Sequence, residues 1–132
     1  MTNKKLGNDF EQEVCEILSK HGFWVHPLNA NKSGQPADII AVRNKTAYLI
    51  DAKVCSSRGF ALSRVEENQE LAMDLWWECG NGVGWFAFRL KGGIWMLDAD
   101  TVREFAKDRS SISYGGICAV AIPFERWVRQ CE

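Results

Sequence analysis

The stretch 34–53, GQPADIIAVRNKTAYLIDAK, constrains the fold more than any other part of the chain. Two apolar, β-branched runs, 39–42 and 46–50, flank Arg43-Asn44-Lys45, the pattern of a hairpin with a short turn. With Asn44 and Lys45 as the central turn residues, opposed positions sum to 89, so Arg43 faces Thr46, Ile40 faces Leu49 and Asp38 faces Asp51. A longer turn would shift that register. Both faces of the hairpin are mostly apolar, which predicts strands in the middle of a covered sheet.

Directly opposed side chains in an antiparallel pair have Cβ atoms about 4.5 to 5.5 Å apart, where like charges repel. Lys53 shares a face with Asp51 because strand side chains alternate. Two acids and a lysine at the end of a buried hairpin cost several kcal/mol without partners. A divalent cation shared by Asp38 and Asp51 removes the repulsion, and Lys53 can then hold or activate a water beside it. The bland alternative is a structural Asp–Lys pair at a strand end, with Asp38 capping a turn.

The 132 residues suit one domain, 1–132, with a core of its own. No apolar run approaches the ~18 residues of a membrane span and the polar start lacks a signal-peptide core, so a cytoplasmic protein with no membrane contact is expected. Five scattered cysteines without C-x-x-C spacing indicate neither a disulfide framework nor a zinc site. The formal net charge of −1 argues against a generic basic nucleic-acid binder, but it is unevenly distributed. Residues 1–64 hold nine Lys/Arg against six Asp/Glu, whereas residues 65–132 hold seven against eleven. Because three of the six N-terminal acids are candidate metal ligands, the surface around the site is more positive than the count suggests.

Ahead of the hairpin, Asn8 and Glu11 have the spacing of a capping box, Phe10, Val14, Ile17 and Leu18 form a helical core stripe, and Gly22 is the stop. Glu11 lies on the flank of that stripe. Phe23 to His26 reads as a strand ended by Pro27, and the polar loop after it carries Lys32 and Ser33. Neither His21 nor His26 has spacing for metal ligation or a triad.

After Lys53, Phe60-Ala61-Leu62 is short and extended, and Ser63-x-x-Glu66 matches a second capping box opening a helix to about Cys79. Its apolar face has Val65, Ala72, Met73 and Trp76, with Gln69 on the same side. Arg58 and Arg64 flank this region within reach of a phosphate backbone. Strands at 83–90 and 93–97 surround Lys91-Gly92; a helix at 101–107, capped by Asp100 or Asp98, a strand at 117–122 and a helix at 124–130 complete the chain. Trp76, Trp85 and Trp95 suit core packing, and Trp77 an exposed subunit contact.

In order, these features are a helix with Glu11, P-x-D at Pro36 to Asp38, D-x-K at Asp51 to Lys53, and FALSRVEENQ running into a helix. The chain resembles the PD-(D/E)-x-K nuclease superfamily and, within it, Holliday-junction resolvases. The opening Gly7-x-x-x-Glu11 is similar to archaeal resolvases, and Phe60-Ala61-Leu62 followed by Asn68-Gln69 to the bacterial RecU type; the likeness covers residues 6–97. It implies an α/β fold with a restriction-endonuclease-like core, a central mixed sheet with an acidic hairpin flanked by helices. It also implies Mg²⁺ or Mn²⁺ held by Glu11, Asp38, Asp51 and the Ala52 carbonyl, Lys53 orienting the attacking water, and Gln69 supporting the site. Ser33 or Lys32 would approach the scissile phosphate, with Lys4, Lys5, Arg58 and Arg64 as further DNA contacts. The implied partners are branched or duplex DNA and a second copy in a homodimer. Three departures stand out: the turn is too short for the stalk of RecU-type enzymes, Asp51 replaces the glutamate usual in resolvases, and the charge is less positive than a junction binder leads one to expect. The expected activity is Mg²⁺-dependent, structure-specific endonuclease cleavage at branched DNA. The alternatives are a restriction- or repair-type nuclease on duplex DNA and a non-catalytic DNA-binding or assembly module.

Overall fold

The computed structural model describes residues 3–28 and 37–132. Among these, six strands form one mixed sheet: β1 (Trp24–Pro27), β2 (Ile39–Arg43), β3 (Thr46–Val54), then β5 (Trp85–Leu90), β6 (Gly93–Asp98) and β8 (Ile122–Pro123), in that spatial order. The short strands β4 (Gly59–Ala61) and β7 (Ser111–Ser113) pair separately. One face is covered by helices α1 (Asn3–Lys20) and α5 (Phe124–Gln130), which bury Phe10, Val14, Leu18 and Trp127 against Ile39, Ala41, Ile50 and Ala52. On the other face Leu49, Phe86 and Phe88 pack with residues of α2 (Glu67–Glu78), α3 (Ala99–Ala106) and α4 (Tyr114–Val120).

The hairpin has the expected register, from Arg43↔Thr46 to Ile39↔Ile50. Its two-residue turn puts Asn44 (φ 52°) and Lys45 (φ 66°) in the left-handed region, the type I′ geometry whose twist matches the strands it joins. Next in the sheet, β3 runs parallel to β5, with Asp51↔Phe86 and Lys53↔Phe88. This central place explains why the hairpin is apolar on both faces.

The end of α1 follows its sequence signal. Gly22 (φ +86°) lets Phe23 N–H reach Leu18 O (3.1 Å) and Gly22 N–H reach Ser19 O (3.1 Å), a Schellman closure. Its start does not. The helix begins at Asn3 and passes through Asn8, which is therefore no cap; the Lys5–Asp9 ion pair (3.5 Å), an i,i+4 contact, needs this extra turn. Ser63 is no cap either, because Leu62–Arg64 form a 3₁₀ turn and α2 is capped by Glu66, reciprocally with Gln69. The expected strand at 117–122 is instead α4 followed by the two residues of β8. Ser113 accepts from Gly116 N–H (3.0 Å) to start that helix, and an apolar run this short has no periodicity to separate helix from strand. Of the two candidate caps for α3, Asp98 is the one used, accepting from Thr101 N–H at 3.0 Å and Thr101 Oγ1–H at 2.7 Å.

Candidate active site

At its open end the hairpin stops being regular. A strand residue normally points its N–H and C=O to the same neighbour. Asp38 does not: its N–H donates to Ile50 O (3.1 Å), while its carbonyl accepts from Leu28 N–H (2.7 Å) on the β1 side. Regular pairing with β3 ends one residue earlier, at Ile39↔Ile50, so Asp38 and Asp51 are not joined by a ladder rung. They meet through side chains instead. Asp38 Oδ2 accepts from Ala52 N–H at 2.7 Å, taking the place of a strand partner that β2 is too short to supply.

Asp51 is fully buried. Its Oδ1 accepts from Gln69 Nε2 (3.2 Å), and its Oδ2 lies 3.1 Å from Lys53 Nζ. The Lys53 ammonium group is thus the close polar contact at Oδ2. Burial pushes the Asp51 carboxyl well above its usual range, reinforced by the charge and hydrogen bond of Asp38 and opposed by Lys53. Glu11 reaches the same place from α1. Its carboxyl is raised to about 8, first by burial and then by a hydrogen bond to Asp38 and that residue's charge, again opposed by Lys53. Glu11 comes from α1 and Gln69 from α2, so the acids of α1 and the hairpin meet an amide from the opposite helix layer.

Raised carboxyl pKa values are what burial and crowding of acids produce when the nearby Lys53 ammonium group does not offset them. Among the described residues no three His, Cys, Asp or Glu side chains form a ready-made metal cage. The chemistry of the set nevertheless fits a divalent ion: the candidate donors are oxygens, which suit Mg²⁺ or Mn²⁺, and the acids are crowded beyond what Lys53 offsets. Ala52 N–H faces the Asp38 carboxylate, and in a strand its carbonyl points to that same side.

The structure thus brings together Glu11, Asp38, Asp51, Ala52, Lys53 and Gln69. Lys4 and Lys5 are exposed on the first turns of α1, at the opposite end of the helix from the Gly22 stop, and Arg58 is exposed beside β4. Lys32, Ser33 and Pro36 lie outside the described residues. Arg64, expected to face DNA, donates from Nη1 to Val54 O (2.7 Å) and lies over the Phe60 ring. One participant escaped the sequence reading: Glu66, whose N–H donates to Gln69 Oε1 (3.1 Å) and so fixes which end of that amide meets Asp51. The spacing Glu66-x-x-Gln69 carried the signal, but the stronger cap former Ser63 three residues earlier masked it.

Comparison with known proteins agrees with this geometry. The family described as archaeal Holliday junction resolvase (Hjc) matches residues 2–132. No curated protein sequence matches. Among solved structures, Hjc from the hyperthermophile Archaeoglobus fulgidus, a Holliday junction resolvase, is similar with a TM-score of 0.71 and 16% identity, over 92% of this chain and 99% of that one. A central mixed sheet flanked by helices, with Asp38 directly ahead of β2 and the D-x-K residues Asp51 to Lys53 on the adjoining β3, is that of a nuclease of the PD-(D/E)-x-K superfamily. Within it, the chain belongs to the archaeal Holliday junction resolvase family. The match extends past residue 97 to the C-terminus, where sequence reading found nothing specific, and its archaeal type agrees with the stalkless two-residue turn.

Proposed function

We propose that this structure-specific junction endonuclease, which hydrolyses DNA phosphodiester bonds as its family does, uses Glu11, Asp38, Asp51 and the Ala52 carbonyl to hold Mg²⁺ or Mn²⁺. The observation that carries the reading is the crowding of the Glu11, Asp38 and Asp51 carboxyls with the Lys53 ammonium group at the open end of the hairpin, where Asp51 is fully buried. When bound, a divalent cation supplies charge neutralisation at the scissile phosphate and lowers the pKa of water. Lys53, held beside Asp51, orients the attacking water and places positive charge next to the phosphate oxygens as they gain charge. Gln69 donates to Asp51 Oδ1 while Lys53 lies at Oδ2, and together they orient the carboxylate that would bind the cation. The short β2–β3 turn leaves junction recognition to other surfaces, with the exposed Lys4, Lys5 and Arg58 as candidate contacts and Lys32 and Ser33 as candidates from the sequence alone.

The same reading includes one nuclease domain working as a homodimer, which would set one site against each strand to be nicked. Leu71 and Leu75, exposed one turn apart on α2, support this, and Trp77 is a further exposed apolar side chain on another side of the same helix. No helix among the described residues is long and apolar enough to cross a membrane. The test is incubation of the purified protein with labelled linear, flapped, forked and four-way-junction DNA, with and without Mg²⁺. Paired nicks in the junction only with Mg²⁺ support the assignment; cleavage of linear duplex at fixed sequences with junctions ignored would favour the restriction-type alternative.

A further inference from the structure

Strand β3 outruns its partner. Regular pairing with β2 ends at Ile50, yet β3 continues to Val54, so among the described residues its later backbone groups on that side have no strand partner. Buried or half-buried backbone groups must be satisfied. Two side chains do this in place of a strand: Asp38 takes Ala52 N–H at 2.7 Å, and Arg64 gives Nη1–H to Val54 O at 2.7 Å. Asp51 and Lys53 are interleaved with these two anchored residues. The second anchor therefore lies one residue beyond the lysine, much as the first lies one beyond the acid.

Arg64 is itself held in place. Its guanidinium lies over the Phe60 ring, 5.2 Å from the centroid. Phe60 is buried and meets Phe88, with centroids 4.9 Å apart. Phe88 is the cross-strand neighbour of Lys53. From Arg64 the chain passes through Val65 to Glu66, whose N–H donates to Gln69 Oε1 while Gln69 Nε2 donates to Asp51 Oδ1. The contacts close a ring that runs from Val54 through Arg64, Glu66 and Gln69 back to Asp51 on the same strand.

We propose that Arg64 is a positioning residue for cleavage, tying the end of β3 that carries Lys53 to the turn that sets Gln69 against Asp51, and is not a phosphate contact. A planar guanidinium suits the task because it can donate in its plane while its face rests on an aromatic ring. A donor committed to a backbone carbonyl is less available to DNA, and moving it would release the last residue of β3.

The proposal rests on the metal-site reading above, and the two fail separately. If Asp51→Asn cuts like the unaltered protein, the site reading fails whatever Arg64 does. For Arg64 itself, kcat and KM for a four-way junction would be measured across a salt series for Arg64→Ala and Arg64→Lys, along with Mn²⁺ affinity without DNA. The expected result for Arg64→Ala is a kcat lowered about 10- to 100-fold, the usual cost of removing an outer support of a metal site, with weakened Mn²⁺ binding. KM and its salt dependence would be unchanged. Arg64→Lys, which keeps a donor but not the ring contact, would recover part of kcat, and free guanidinium added to Arg64→Ala would recover more. A raised KM with unchanged kcat and a salt slope smaller by about one would make Arg64 a phosphate contact and overturn the proposal. Loss of thermal stability alone, with kcat, KM and Mn²⁺ affinity intact in both folded variants, would overturn it too.

Discussion

The two ends of the β2–β3 hairpin solve opposite problems with the same two strands. At the closed end everything is local: Asn44 and Lys45 adopt left-handed conformations, and the ladder starts at once with Arg43↔Thr46. At the open end almost nothing is local. The backbone of Asp38 turns toward both neighbours, the carboxylates crowd, and the partners that hold them come from α1 and α2. A turn that closes by its own geometry fixes the register, and the register delivers Asp38 and Asp51 to one place even though they repel. Stability at one end supports electrostatic tension at the other.

The sharpest way to break this comparison is to remove the tension. Asp51→Asn should lower junction cleavage by roughly 10³-fold or more, since on the proposed function it deletes an oxygen that would hold the metal, and raise the midpoint of metal-free thermal unfolding because the carboxylate repulsion is relieved. Near-normal cleavage would show that the open end is only structural. Gln69→Ala comes next: leaving Asp51 Oδ1 without its donor and α2 without half of its cap should cost about 10- to 100-fold in kcat, with the fold retained by circular dichroism. Unchanged kcat would limit Gln69 to capping.

A smaller effect is expected from pH. Glu11 has an ordinary value of 4.5 and is raised to about 8 in the folded protein, and Asp51 is raised as well. Between those values the folded state holds more protons than the unfolded one, so metal-free stability should fall as pH rises from about 4.5 toward 8. Denaturant midpoints across that range check the sign, and a rise would contradict the crowding of acids. Smallest of all is a change at the closed end. Lys45→Gly removes a side chain from a left-handed position, giving the Asn-Gly pair that type I′ turns favour, and should stabilise by up to about 1 kcal/mol without altering cleavage. A loss of activity there would show that the two ends are coupled more tightly than by register.

How much of this was legible in sequence follows the same division. The turn, the register and the convergence of Asp38, Asp51 and Lys53 could be read because hairpin geometry depends on neighbours in the chain. The end of α1 was equally plain, since glycine at a Schellman position is a local device. What failed was competition between local signals and packing. Asn8 has the right spacing for a cap but lies inside a helix, Ser63 lost the cap of α2 to Glu66, and the apolar run at 117–120 carries no period long enough to show that it is helical. The contact of Arg64 was hidden for another reason. An arginine flanking a nuclease site suggests phosphate, and only the fold brings the Val54 carbonyl within its reach.

The most direct measurement is a calorimetric titration of the DNA-free protein with Mn²⁺ in buffers of different ionisation heat, repeated for Asp38→Asn and Asp51→Asn. Saturable binding accompanied by proton release in the unaltered protein, and abolished in both variants, is the predicted result. Equal affinity in all three, or no binding alongside undiminished junction cleavage, would show that the acids at the open end of the hairpin do not share a cation.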